Sequence, residues 1–405
     1  MSDTSSRRPA VELPERNAPI YLDYQATTPT DPRVVDAMAP YFMVKYGNPA
    51  STSHFYGWEA EEAVEKSREQ IASLIGAEPR EIIFTSGATE ANNLAIQGIA
   101  GFYGERKNHI VTTRTEHKCV LETCKYLEGK GFDVTYLEVD KGGLIDLEKL
   151  KDAITENTVM VSIMAVNNEI GIIQPIAEIG AICRERKAFF HTDAAQAIGK
   201  IPIDVNEINI DLMSISGHKV YGPMGIGVLY MRRRPRVRLK PLFQGGGQER
   251  GMRSGTLSTP LCVGMGEACA ISEEELAEEA TRLSRLRDML YQGIVGRVPD
   301  VHLNGDAQKR IPGNLNFSFD HVDGNGLIAG LTGISVSSGS ACTSGDVAPS
   351  YVLKALGVED ALAFACVRIG LGRFTTSADV KFAVETIVEK VAKLRAAHPQ
   401  NKVSA

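Results

Sequence analysis

Residues 81–90 read EIIFTSGATE, passing from a β-rich run over 81–86 through one glycine into an amphipathic stretch over 88–102. A strand that runs directly into a helix is half of a crossover unit, and the same change of period recurs down the chain. Further strands are predicted at 109–114, 133–139, 159–166, 189–193, 211–216 and 225–231, with helical patterns at 119–129, 147–154 and 176–187 between them. Several of these strands are apolar throughout rather than alternating, as expected where helices cover both faces of a mostly parallel sheet. The predicted fold class is therefore α/β.

A Gly-rich stretch at 245–255 breaks the rhythm, and a long charged helical pattern follows it over 257–295. We place a domain boundary there. The predicted organisation is a flexible arm over 1–18, a large α/β domain over 19–256 and a smaller α+β domain over 257–405, which the N-terminal segment is a candidate to join.

The 405 residues suffice for two cores, and 43% hydrophobic with 23% charged residues is ordinary for a globular protein. A net charge of -6 opposes nonspecific nucleic-acid binding, so no nucleic-acid partner is expected. The local exception, Arg232, Arg233, Arg234, Arg236, Arg238 and Lys240, reads as a solvated face. Seven cysteines without a repeated short spacing suggest neither a disulfide framework nor a zinc site, and fit a reducing compartment. No apolar run approaches the roughly 20 residues of a membrane span, and the first 18 residues lack the apolar core of a secretory signal. That leader carries Arg7 and Arg8, but Asp3, Glu12 and Glu15 oppose a transit peptide. The cytoplasm is expected, with a mitochondrial-type compartment as the alternative.

Three strand ends carry chemistry. Ser214 to Lys219, SISGHK, closes an apolar strand with hydroxyls, a glycine, an imidazole and a lysine. Desolvation and neighbouring cations lower the pKa of a lysine so placed, leaving it nucleophilic toward an aldehyde, as a Schiff base requires. A solvated strand terminus is the plainer reading of Lys219 alone. Phe189 to Gln196, FFHTDAAQ, ends another apolar strand on Asp193. A pyridine cofactor needs a carboxylate at its ring nitrogen, although an aspartate here also serves as an N-cap. Gln196, a short turn on, could reach the cofactor's phenolic oxygen. Thr85 to Glu90 opens a helix behind Gly87, offering the free N–H groups of Gly87, Ala88 and Thr89 to a phosphate, or else forming a simple capping arrangement.

Together with YLDYQATTP (21–29), GNPAS (47–51), TEHK (115–118), VNNEIG (166–171), SGHKVYGP (216–223), GGGQERGMRSGT (245–256) and SSGSACTS (337–344), these segments resemble the cysteine desulfurases of the iron–sulfur assembly type. That is the bacterial housekeeping and mitochondrial class within the class-V aminotransferases. The likeness runs from about residue 21 to 376. It implies a fold type I architecture, pyridoxal 5'-phosphate as cofactor and a homodimer with sites at the interface. By position, Lys219 is the Schiff-base lysine, Asp193 the pyridinium partner and Gln196 the ligand of the phenolic oxygen. Ala88, Thr89, Ser216 and His218 bind phosphate, joined by Thr256 from the partner subunit. His117 stacks on the ring and moves protons, a role that a merely capping histidine does not explain. Asn168 and Arg368 hold the substrate carboxylate.

The resemblance makes Cys342 the nucleophile, taking sulfur from L-cysteine as a persulfide and leaving L-alanine. Its small polar surroundings read as a mobile loop. The other cysteines, Cys119, Cys124, Cys183, Cys262, Cys269 and Cys366, read as small core residues. The implied partners are an iron–sulfur scaffold protein and sulfur acceptors, and no metal site is expected beyond a passing ligation of a cluster by Cys342. An ending without an aromatic anchor predicts weaker scaffold docking than in relatives with a longer tail. Relatives usually carry a histidine and serines over 362–367, where this chain reads LAFACV. Selenocysteine lyase chemistry on the same scaffold, and a binding platform for assembly partners with little turnover, are the competing readings.

Overall fold

The computed structural model describes residues 18–338 and 349–397. Twelve strands are found among them: β1 (Ile20–Tyr21), β2 (Ile82–Thr85), β3 (His109–Thr113), β4 (Asp133–Leu137), β5 (Thr158–Ser162), β6 (Phe189–Asp193), β7 (Leu212–Ser216), β8 (Gly227–Met231), β9 (Val301–Leu303), β10 (Asn314–Phe319), β11 (Ile334–Ser335) and β12 (Cys366–Gly370).

The large sheet has the order β2-β8-β7-β6-β5-β3-β4, and β8 alone runs against its neighbours. Side chains alternate between its two faces, and both faces are covered. Phe84, Val111, Val161, Met213, Ile215 and Val228 enter one core, whereas their neighbours Ile83, Ile110, Met160, Leu212 and Leu229 enter another. This two-sided burial is why the strands read as unbroken apolar runs. The helices Ala88–Tyr103 and Lys118–Glu128 cover the second face through Leu94, Ile99, Val120 and Leu127. Helices Phe55–Ile75 and Ile176–Arg186 cover the first.

A smaller antiparallel sheet, β12-β10-β9, packs with helix Ser377–Ala397 around Phe317, Phe319, Val367, Ile369 and Ile387. The N-terminal strand β1 pairs in parallel with β11 on this side, and Leu22 joins the same core.

One helix, Thr259–Val295, belongs to both bodies. Cys262, Met265 and Cys269 pack in the large core, whereas Leu283, Leu286, Leu290 and Ile294 pack in the small one. The cores therefore part within the helix, between Ile271 and Leu283, and not at residue 257, where the sequence pattern draws the boundary. The Gly-rich stretch preceding the helix is not a free hinge. Its Glu249 is buried, pairs with Arg68 and accepts the Phe84 N–H at 2.7 Å, fixing the stretch to β2.

The basic cluster is solvent-exposed apart from Arg232, which is buried and donates to the Ile210 carbonyl at 2.9 Å. No helix among the described residues is long and apolar enough to cross a membrane.

Candidate active site

Strands β2, β7, β6, β5 and β3 point one way, so their carboxyl ends open on one edge of the sheet. The turns leaving them carry the candidate residues in order across that edge. Ala88 and Thr89 follow β2, Ser216, His218 and Lys219 lie at the end of β7, and Asp193 and Gln196 at the end of β6. Asn168 follows β5 and His117 follows β3. All of them, with Arg368 from β12 of the small sheet, line one cavity of about 450 Å³.

The corner after β2 is built for close approach. Gly87 holds φ 154° at the start of helix Ala88–Tyr103, which has no side-chain cap, and Gly87, Ala88 and Thr89 line the cavity. A side chain at Gly227 on β8 would place its Cβ 2.5 Å from the Gly87 Cα, which only glycine avoids. The capping reading holds in part here, because the Ser86 N–H donates to Glu90 at 2.7 Å, and Arg253 in turn binds Glu90 at 2.8 Å. His218 Nδ1 lies 3.1 Å from Thr27 Oγ1. Burial, with the nearby cations Lys219 and Lys200, lowers the His218 pKa to about 4, so the ring is a neutral hydrogen-bonding group at pH 7.

At the centre of the edge, Lys219 Nζ donates to the main-chain carbonyls of Gln25 and Ala26, the latter at 2.7 Å. No helix follows Asp193, so it is not the N-cap its sequence also suggests: Oδ1 accepts the Ala195 N–H at 2.9 Å within a turn, while Oδ2 accepts from Asn92 Nδ2 at 2.7 Å. Gln196 donates to the Gln25 carbonyl and accepts from Lys200 Nζ, both at 2.8 Å.

His117 does cap a helix, the plainer role that its sequence context also offers. It is the N-cap of Lys118–Glu128, and its Nδ1 accepts the Cys119 N–H at 3.2 Å. Capping does not preclude a site role: with Nδ1 engaged on the helix, Nε2 is the nitrogen left for the cavity that His117 lines. Burial, reinforced by Lys219 and Lys118 against the pull of Asp193, keeps the ring less basic than usual. Cys119 also departs from its core assignment. It lines the cavity with Sγ 3.0 Å from His117 Nδ1, and burial, with Asp193 beside it, pushes its thiol pKa up to about 12.

Arg368 is only 1% exposed despite the apolar 362–367 segment before it. One terminal nitrogen donates to the Asn168 carbonyl at 3.0 Å, and the other binds Asp23 at 2.8 Å and Ser337 Oγ at 2.7 Å. Among the described residues, Arg368 Nε and Asn168 Oδ1 are buried without a partner. Such orphaned polar atoms mark where a further polar group can bind. Ser350 donates to the buried Glu169, whose carboxyl pKa is raised to about 7 by burial against the attraction of Arg368.

One described candidate does not meet the others in this cavity. Thr256 is exposed and lies away from it in this chain. Cys342 lies outside the described residues, although Ser337 before that segment and Ser350 after it are tied to Arg368 and Glu169. Asn92, Asp23, Gln25 and Lys200 were not singled out from sequence. Gln25 and Asp23 sit inside YLDYQATTP, so that motif was the available signal.

An α/β sheet with a lysine, a carboxylate and an imidazole at the strand ends, beside a helix N-terminus, defines the class. The class-V aminotransferase family model matches residues 20–382, and the chain belongs to that family. It is 58% identical over 381 residues to the human cysteine desulfurase, covering 94% of this chain and 83% of the human one. It is also 58% identical over 388 residues to cysteine desulfurase IscS of Rickettsia typhi, covering 96% and 95%. A solved NifS-like protein superposes with a TM-score of 0.87 at 40% identity, over 93% of this chain and 100% of that one. SspA in complex with cysteine gives 0.79 at 40% identity, over 88% and 100%. Within the class-V aminotransferases, the chain is a cysteine desulfurase family member.

Proposed function

We propose that the protein is a pyridoxal phosphate-dependent cysteine desulfurase, converting L-cysteine to L-alanine and taking the sulfur as a persulfide on Cys342. The observation that carries this reading is the convergence of Lys219, Asp193, His117 and Arg368 on one cavity. The residues present fit the cofactor. The Gly87–Thr89 helix start, Ser216 and His218 offer donors for a phosphate, Asp193 a carboxylate for a pyridinium, Gln196 an amide for the phenolic oxygen and Lys219 an amine for the aldehyde. When bound, the cofactor supplies an electron sink that weakens the Cβ–S bond of the amino acid.

The chain supplies the rest. Arg368, with its unpartnered Nε, and Asn168 are placed to hold the substrate carboxylate. His117, neutral with Nε2 toward the cavity, is placed to shuttle protons there. The sum balances: the Cβ–S bond breaks, an S–S bond forms on Cys342, and two protons end on alanine in place of sulfur and on the persulfide. The persulfide would then pass to acceptor proteins and an iron–sulfur scaffold protein.

A homodimer with sites at the interface is part of the proposal. Phe42, Met43, Val44, Tyr46, Phe55, Tyr56 and Trp58 are all exposed large hydrophobics. Tyr46 and Tyr56 stack at 5.4 Å and Phe55 meets Tyr56 at 6.2 Å, so at least these three form an exposed aromatic group of the kind a second copy covers. Thr256 would then reach the partner's phosphate. The free cysteines among the described residues suit a reducing compartment, the cytoplasm or a mitochondrial-type one.

The test is a steady-state assay of alanine and sulfide from L-cysteine with a reductant, together with borohydride reduction and peptide mapping. Alanine formation, with the cofactor fixed to Lys219, is the expected result. Cofactor on another lysine, or no alanine, would overturn the reading.

A further inference from the structure

Lys200 stands just beyond Gln196, on the wall of a narrow cavity of about 20 Å³ between the two cores. Gln25 and Lys219 line this cavity as well as the large one, so Lys200 lies directly behind the active-site wall. Its Nζ donates to Gln196 Oε1 at 2.8 Å. An ammonium carries donors only, and therefore it can face only the oxygen end of a carboxamide. The other end is fixed as a consequence: Gln196 Nε2 donates to the Gln25 carbonyl at 2.8 Å, and that same carbonyl accepts from Lys219 Nζ. Two lysines thus terminate one chain of hydrogen bonds that passes through Gln196.

We infer that Lys200 is a positioning residue: it holds Gln196 with its N–H end toward the cofactor site and places a second cation behind Lys219. The inference rests on the cofactor reading above and extends it to a residue that does not touch the large cavity. A glutamine free to rotate presents an acceptor as readily as a donor, and an acceptor facing a phenolic oxygen is repulsive.

The surrounding charges support the second half of the statement. Lys219 and His218 face this region from the turn after β7, Arg368 from β12, and Glu279 from the long helix. Asp193 and His117 lie across the large cavity. Glu279 is already engaged by Arg373 at 3.0 Å and by the Tyr221 hydroxyl at 3.2 Å, so it does not neutralise Lys200 alone. Burial, with Lys219 and Arg368 adding to it, lowers the Lys200 pKa to about 7, so the side chain is a cation below that pH and a neutral amine donor above it. In its cationic form it disfavours any additional proton near Lys219.

The experiment is a pH titration of the visible absorbance of the holoenzyme, with cofactor affinity measured by equilibrium dialysis, for the wild type, Lys200→Met and Lys200→Arg. Lys200→Met should move the titration midpoint upward by about half a pH unit or more and weaken cofactor binding about five-fold or more. Lys200→Arg, which keeps a cationic donor, should restore both to near the wild-type values. If Lys200→Met does not fold, Lys200→Gln removes the charge in the same comparison. A folded neutral variant with unchanged midpoint and affinity would overturn the inference, as would an Arg variant as impaired as the neutral one. Absence of a visible band from reconstituted wild type would instead overturn the cofactor reading, and this inference with it.

Discussion

Asn92 and Asp193 are joined by a 2.7 Å hydrogen bond from amide to carboxylate, across the gap between the helix Ala88–Tyr103 and the end of β6. The helix that starts at the proposed phosphate corner thereby also aims the carboxylate proposed for the ring nitrogen. Hydrogen bonds to charged groups contribute about 1.5–3 kcal/mol. Asn92→Ala should therefore weaken cofactor binding about ten-fold or more, and Asn92→Asp, which sets two carboxylates together, should weaken it further. Equilibrium dialysis of the three proteins checks the order, and equal affinities would show that Asp193 needs no such support.

Cys119 sits closer to the proposed chemistry than any other described cysteine, yet its raised pKa keeps it a thiol rather than a nucleophilic thiolate at pH 7. After a single turnover with L-cysteine, mass spectrometry should find the added sulfur on Cys342. Cys119→Ser should still acquire it there, and Cys342→Ser should bind L-cysteine without gaining a persulfide. Sulfur on Cys119 in the wild type would refute the assignment.

Glu116 offers a test by pH. Its carboxyl is wholly buried, accepts the Met164 N–H at 2.8 Å and the Thr113 hydroxyl at 3.0 Å, and leaves Oε2 without a partner. Burial, with Asp193 adding to it, raises its pKa to about 8 from an ordinary 4.5. Across that window the unfolded chain releases a proton that the folded chain retains. The stability contributed by this group is thus complete below pH 4.5 and lost as pH rises toward 8. Glu116→Gln stays neutral throughout. Its thermal midpoint relative to the wild type should rise between pH 5 and 8, by the equivalent of a few kcal/mol on the order of 1.4 kcal/mol per pKa unit. A difference independent of pH would refute the buried neutral acid.

The proposed shared site predicts complementation between chains. A Lys219→Ala chain and a Thr256→Ala chain, each impaired alone, should regain part of the activity on mixing, because one site of a hybrid dimer keeps both residues. Sedimentation showing a fully active monomer at assay concentration would rule this out.

The strand ends were legible because the proposed chemistry is local there. SISGHK and FFHTDAAQ each place a candidate side chain at the point where an apolar run stops, and both runs are strands buried on each face. The supporting residues were not legible for the opposite reason. Gln196 meets the Gln25 carbonyl across 171 residues and Asn92 meets Asp193 across 101, so no local pattern announces either contact. Cys119 fell within a helical pattern that predicts a core cysteine; it does pack against the core, but at the first turn of its helix, where its sulfur also meets His117 and Asn92 at the cavity. The Gly-rich stretch breaks the sequence rhythm before 257, yet the buried Arg68–Glu249 pair ties it to the large body, a contact across 181 residues that no local pattern announces.

The helix Thr259–Val295, 37 residues and about 55 Å at 1.5 Å per residue, has a mechanical consequence. Lys219 rides on the body that holds its first turns, and Arg368 rides on the body that holds its last. A strut embedded in both permits bending and twist along its length but no free swivel at a joint. The jaw opening between amine and guanidinium is thereby set by the stiffness of a single rod, and its tolerance for a longer amino acid is a matter of elasticity rather than of hinge angle.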